Sequence, residues 1–214
     1  MITAVAMIIA LSQDGPSFDC ARATTPAEYA ICSDAGLARL DRRMNSLYLA
    51  VRRALPASVR SALADDQRGF LSVREYEAER QRAEGDNRQL AARMTNRIGF
   101  LESIHTRGRS GLTGRWRNLA GEVHVTAPGN GRMRIRINAA QPENGNWVCD
   151  VEFTGASSAS AVEGVANHDQ NYRLRATLRG DTLLLTETRI AGDGYGPGYC
   201  GLNGSVGGTY FRMQ

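Results

Sequence analysis

Residues 18–32 read Phe-Asp-Cys-Ala-Arg-Ala-Thr-Thr-Pro-Ala-Glu-Tyr-Ala-Ile-Cys, and the helix start inside this stretch decides the architecture of the first half of the chain. Thr25-Pro26-Ala27-Glu28 has the form of a capping box. The Thr25 hydroxyl can accept from the amide three residues on, Glu28 can reach back to the Thr25 amide, and Pro26 suits a first helical position that needs no amide hydrogen. A short helix from Pro26 to Cys32 is expected, bracketed by Cys20 and Cys32. Ser33 or Asp34 can cap a second helix whose apolar stripe is Leu37, Leu40, Met44, Leu47 and Tyr48 and which Pro56 stops. A third begins near Ser58, carries Val59, Leu63, Phe70, Leu71 and Val73, and is expected to fade in the polar run from Glu75 to Glu84. Gly85-Asp86 offers a stop and a new cap, after which Leu90, Met94, Ile98, Leu101 and Ile104 give a fourth stripe. The expected unit is an antiparallel bundle of one short and three long helices.

Ahead of this stretch, Ile2 to Leu11 is apolar except for Thr3 and too short to span a bilayer. With the small residues of Ala10-Leu11-Ser12 it reads as a signal peptide over residues 1–12, the mature chain starting near Gln13, although no Arg precedes Arg22. The cysteines agree with export: Cys20 and Cys32 fall in one half, Cys149 and Cys200 in the other, so each half would own one disulfide. Neither pair is a CxxC, and no cluster of His or Asp accompanies them, so redox and metal roles are not expected.

Composition changes after residue 106. Residues 13–106 are the expected helical bundle, Arg107-Gly108-Arg109-Ser110-Gly111 a polar linker, and residues 112–214 a Gly-rich region of alternating strands. Pro128-Gly129-Asn130-Gly131 joins two such strands, and Gly180-Asp181 joins Tyr172–Arg179 to Thr182–Arg189. Seven or eight strands of this length make a small antiparallel β-barrel or sandwich, so the chain is α+β in two domains. In Arg132-Met133-Arg134-Ile135-Arg136-Ile137, alternation points Met133, Ile135 and Ile137 inward and Arg132, Arg134 and Arg136 outward. The outward set is either a basic face for an anionic partner, joined by Arg173 and Arg175 if their strand is a neighbour, or a solvated face balanced by Glu122, Glu152 or Glu187. A second candidate surface is Gly192 to Gly208, with eight glycines in 17 residues. Tyr195, Pro197, Tyr199 and Asn203 lie among them, and Cys200 can tie the loop to Cys149.

The helical half resembles the N-terminal domain of the LprI-type lysozyme inhibitor family over about residues 18–104. The likeness rests on Cys20, Glu28-x-x-Ile31-Cys32, Leu40-Asp41-Arg42, the segment Asp66-Gln67-Arg68-Gly69-Phe70 followed by Arg74, and Arg97-Ile98 with Leu101. Many members carry a second cysteine pair on the later helices; this chain has no cysteine between Cys32 and Cys149. The resemblance implies an exported envelope protein that binds a lysozyme or a peptidoglycan-associated protein. Small β-barrel lysozyme inhibitors are an architectural analogy for the second half, but their Ser-Gly-Ala-rich motif has no counterpart here. Glu28, Asp41, Gln67, Arg68 and Arg74 also have a structural explanation, as a buried network between helices.

All 26 basic residues are Arg, and they are almost matched by acids in each half: 16 against 13 over residues 13–110 and 10 against 9 over residues 111–214. The sequence pI of about 9.1 is therefore no nucleic-acid signal. His105, His124 and His168 are scattered, Gly204-Ser205-Val206-Gly207 is not a nucleophile elbow, and no phosphate-binding Gly loop or HExxH occurs. No cofactor and no metal are expected, and no transmembrane segment in the mature chain. The expected function is binding in the periplasm or outside the cell rather than catalysis. The first form is inhibition of a lysozyme or related muramidase; the alternative is a non-inhibitory envelope module that holds peptidoglycan, lipid or another periplasmic protein.

Overall fold

In a computed structural model, residues 15–82, 86–106, 110–158, 160–192, 194 and 196–214 are described. The expected signal peptide, residues 107–109 of the expected linker and Tyr195 lie outside the described residues. Four α-helices are followed by eight β-strands: α1 Pro26–Ser33, α2 Ala35–Ala54, α3 Ala57–Arg82 and α4 Arg88–Ser103, then β1 Gly114–Arg117, β2 Gly121–Gly129, β3 Arg132–Ala140, β4 Val148–Ala156, β5 Ala161–Val165, β6 Tyr172–Arg179, β7 Thr182–Arg189 and β8 Gly208–Arg212.

The capping box closes as local chemistry dictates. Thr25 accepts the Glu28 amide at 3.3 Å, and the Glu28 carboxylate accepts the Thr25 and Thr24 amides at 3.1 and 2.8 Å. Asp34 caps α2 by accepting from Gly36 and Leu37. Cys20, in a 3-10 turn over Cys20–Arg22, is bonded to Cys32 at the far end of α1. The third helix ends inside the polar run where it was expected to fade: α3 continues through Glu75 to Arg82. Glu77 and Gln81 are buried there because α4 brings polar partners to them, with Gln81 donating to Glu77 at 3.2 Å, Arg93 to Glu77 at 3.4 Å, and the Leu90 amide to Gln81 at 3.3 Å.

The strands form one antiparallel sheet in the order β4-β3-β2-β1-β8-β7-β6-β5. With β1 between β2 and β8, this is an up-and-down meander that curls into a nearly closed barrel. The Asn130-Gly131 turn takes positive φ at both residues, 57° and 66°, the geometry a tight hairpin requires. At the β4–β5 seam the ladder is replaced by a Ser157–Val162 bridge and by Asn167, whose amide donates to Glu152 O at 2.9 Å and whose side-chain oxygen accepts the Glu152 amide at 3.0 Å. Gly155 is required there, because a Cβ would lie 1.9 Å from the Glu163 carbonyl.

Two cores result. The barrel interior is filled by Trp116, Ile135, Ile137, Phe153, Leu174, Leu183 and Tyr210, with the Trp116 indole donating to Leu112 O at 2.9 Å and the Tyr210 hydroxyl to Val206 O at 2.8 Å. The helical core gathers Ile31, Leu37, Leu63, Leu90, Met94 and Leu101. Strand β8 serves both: Tyr210 points into the barrel, whereas Phe211 and, just beyond the strand, Met213 point out into the helical core. Phe211 meets Phe100 edge-on at 6.1 Å between ring centres. The helices thus pack on the outer wall of the barrel.

Candidate binding surfaces

Two arginines of the helical half are buried on carboxylates from the bundle. Arg74 on α3 donates at 3.3 Å to Asp41 on α2 and at 3.3 Å to its neighbour Glu75. The second Asp41 oxygen accepts the Ser17 amide and hydroxyl at 2.8 and 2.6 Å, and Glu75 accepts the Ala27 amide at 3.1 Å, tying α1 to α3. Arg97 on α4 donates through Nε to Gln67 at 3.0 Å and through Nη1 to Asp66 at 2.5 Å. Its guanidinium carbon lies 4.6 Å from the centre of the Phe100 ring and 5.3 Å from that of Phe70. Burial draws the Arg97 pKa down, and the Asp66 charge opposes that pull. Of the motif residues, Asp41, Arg74 and Gln67 sit in this network. Arg68 does not: it is exposed and pairs with Asp65 on its own helix. Glu28 belongs to the cap. The sequence reading missed Arg97 and Glu75 as network members; an arginine inside the apolar run of a helix, beside Ile98, was the available signal.

The arginines of β3 are outward and exposed, as alternation predicts. Arg134 and Arg136 both lie on Glu152 of β4, at 3.3 and 3.1 Å, and Arg132 donates to Thr154 O at 3.3 Å. Arg173 and Arg175 do not join them, because β6 pairs with β5 and β7, and they share Glu163 instead, at 3.5 and 3.1 Å. The face is a cross-strand ion-pair ladder more than a bare cationic patch. Beside it, His124 contacts Glu122, which also takes Arg115 at 3.1 Å and Arg117 at 3.5 Å. Burial alone would raise the Glu122 carboxyl, but hydrogen bonds from Arg115 and His124 hold it below the usual range.

The described residues of the Gly-rich loop are tied to the barrel at several points. Tyr199 is buried, stacks edge-on against Tyr172 at 5.9 Å and donates its hydroxyl to Glu187 at 2.7 Å. Burial, then that carboxylate, pushes the phenol pKa well up. Tyr199 is therefore an internal anchor and offers no ring to a partner, contrary to its expected part in the contact. Glu187 also accepts the Ser205 hydroxyl and the Val206 and Gly207 amides, at 3.1 and 2.9 Å for the amides. The Gly198 amide donates to Asp169 at 2.7 Å, and Cys200 is bonded to Cys149. Among the described residues, half-buried Pro197, exposed Asn203 and Leu202, 74% exposed, form an outer crest.

The helical half presents its own apolar surface. Tyr29 on α1 is 59% exposed and Tyr76 on α3 36%. Tyr29 borders a groove of about 560 Å³ closed by Pro26, Ala30, Ala78, Gln81 and Arg82. A second concavity, of about 260 Å³, lies at the seam of the two halves, where Arg93, Asn96 and Arg97 of α4 face Arg117 to Ala120 and Ala140 to Pro142. Polar ties cross the seam beside this concavity. Asp66 accepts the Leu119 amide at 2.8 Å, and Arg93 donates to the carbonyls of Pro142 and Glu143, each at 3.1 Å. Among the described residues no cluster of His, Cys, Asp and Glu could hold a metal ion, and no helix is long and apolar enough to cross a membrane.

Residues 20–108 match the family model described as "Lysozyme inhibitor LprI", which covers all four helices. No curated protein and no solved structure matches the chain.

Proposed function

We propose, on the premise that the helical half is similar to the LprI lysozyme inhibitors, that this protein is exported and acts by binding, blocking a lysozyme or related muramidase. The family match carries this reading, and it falls entirely on the helices up to the seam, so the contact is assigned to the bundle. Its exposed face around Tyr29 and Arg82 has the residue types that dominate binding energy at protein interfaces. Two disulfides fit an oxidising compartment. The crest of the barrel loop, Pro197, Leu202 and Asn203, is the second proposed contact. A glycan- or lipid-holding module finds less support, because Arg134 and Arg136 are already on Glu152.

The experiment is a cell-wall lysis assay with lysozymes of several classes, with and without the purified protein. Slowed lysis by at least one class supports inhibition, and Tyr29→Ala should weaken it about tenfold or more, as loss of an interface anchor does. Lysis unchanged for every class defeats the reading.

A further inference from the structure

We propose that Asn130 is a modification site, where the folded protein loses ammonia and gains an isoaspartate, and that the fold holds the same reaction back at the two other Asn-Gly pairs. The chain has three such pairs, Asn130-Gly131, Asn144-Gly145 and Asn203-Gly204, and all three asparagines are exposed. In each, the glycine offers an amide nitrogen with no side chain to shield it, and that nitrogen is the nucleophile that closes on the asparagine Cγ. Sequence alone therefore ranks the three alike. Their hydrogen bonds do not.

The Gly145 amide donates to Gln141 O at 3.0 Å, and Asn144 Oδ1 is occupied by the Asn146 amide at 3.0 Å. The Gly204 amide donates to Gly201 O at 2.8 Å, and Gly204 is buried so tightly that an added Cβ would lie 2.9 Å from the Cys200 Cβ and 3.1 Å from the Cys149 Sγ. An amide engaged as a donor must give up that bond before its nitrogen can attack. Gly131 is different. Among the described residues neither its amide nor the Asn130 side chain has a hydrogen-bond partner, and both residues are exposed. A Cβ at Gly129 or Gly131 would meet nothing within 4 Å, so the tip of the β2–β3 hairpin stands in open space. Its one tie is the Gly131 carbonyl, which accepts the Ser157 amide and hydroxyl at 3.2 Å each. Flanked by two glycines that tolerate either sign of φ, Asn130 can bring its Cγ to the Gly131 nitrogen with little to break.

The step balances with water as the one co-reactant. The Gly131 nitrogen bonds Asn130 Cγ, the side-chain nitrogen leaves as ammonia with the proton that Gly131 gives up, and a five-membered succinimide results. Water then opens the ring. Opening at the backbone carbonyl leaves the chain running through Cγ, an isoaspartate; opening at Cγ restores the normal peptide and leaves an aspartate. Either product replaces a neutral amide by a carboxylate next to Arg132. Isoaspartate also puts an extra atom into a two-residue turn, which moves Gly131 O off Ser157 and loosens the place where this hairpin meets the Ser157–Val162 bridge of the β4–β5 seam.

The test ages the full folded protein in mildly alkaline buffer made with heavy-oxygen water, digests it and follows the three peptides by mass spectrometry. The heavy oxygen marks ammonia lost during ageing and not during digestion. A parallel sample is aged in denaturant. Deamidation at Asn130 is expected to be about tenfold or more faster than at Asn144 or Asn203 in the folded protein, the factor that a local opening costing about 1.4 kcal/mol imposes, with similar rates at all three in denaturant. Labelling by an isoaspartyl methyltransferase should fall on the Asn130 peptide, and Asn130→Ser should leave the aged folded protein unlabelled. The aged fraction should unfold at a lower temperature than fresh protein. A folded rate at Asn144 or Asn203 equal to that at Asn130, no reaction at Asn130 while the denatured chain reacts, or the same ranking in denaturant as in the fold overturns the proposal. An unchanged unfolding temperature overturns its structural consequence.

Discussion

The two halves keep their shape by different means. The barrel has a filled apolar interior and brings backbones close at glycines such as Gly155, whereas the bundle buries charges, Asp41 with Arg74 and Asp66 with Arg97, among its apolar side chains. Buried ion pairs rarely beat an apolar replacement in net stability, but they punish removal of one partner and they fix which groups meet. The barrel is thus tolerant of its surface charges and intolerant of lost volume. The bundle is intolerant of single charge losses.

Asp66→Ala is the sharpest way to break that contrast. It strands the Arg97 guanidinium and removes the acceptor of the Leu119 amide, so both the bundle and the seam lose a tie. A loss of about 3–5 kcal/mol in unfolding free energy is expected, read from denaturant titration. Glu152→Ala, which strands two exposed arginines of the barrel ladder, should cost about 1 kcal/mol or less. Comparable losses at the two sites would remove the distinction between the halves.

The disulfides sharpen it next. Cys149–Cys200 closes a separation of 51 residues and Cys20–Cys32 one of 12. On the loop-entropy model these constrain the unfolded chain by about 4 and about 3 kcal/mol respectively. Replacing each pair by Ser in separate variants should therefore cost the barrel more, and it should free the Gly-rich loop to proteolysis while leaving the bundle protected. A bundle cut first in the Cys149→Ser, Cys200→Ser variant would show that the halves unfold as one unit through β8.

Local rules made much of this fold legible. The Thr25 box, the Asp34 cap and the Asn130-Gly131 turn each involve groups within a few residues, so spacing alone specifies them. Period-two alternation placed Ile135 and Ile137 inside. What escaped depended on partners remote in sequence. Glu77 and Gln81 are buried because Arg93 and Leu90 satisfy them, and Tyr199 is buried because Glu187 and Tyr172 wait beneath it. Tyr210-Phe211 was the readable hint at the docking of the halves: adjacent strand residues point to opposite faces, so two large aromatics in a row announce a strand covered on both sides. The candidate contacts were the least legible, since exposure of Tyr29 and burial of Tyr199 are decided by packing rather than by residue type.

The smallest expected effect isolates the acid response of the bundle. The Glu28 carboxyl lies below its usual value of 4.5, first through the hydrogen bond from the Thr24 amide, with burial pulling the other way and the Thr25 amide helping. A carboxyl lower in the folded than in the unfolded chain binds fewer protons when folded. Its contribution is therefore complete above about pH 4.5 and fades as pH falls through the lower folded value. Glu122 on the barrel has the same sign, held low by Arg115 and His124. Glu28→Gln should flatten the acid limb of a stability curve followed from about pH 6 down to about pH 3, and Glu122→Gln should flatten it separately. Thr25→Ala, which removes the reciprocal cap, should cost about 1 kcal/mol at neutral pH and leave most of the acid slope, because the Thr24 and Thr25 amides still meet the carboxylate. An acid limb untouched by Glu28→Gln and lost with Glu122→Gln would place the whole acid response in the barrel.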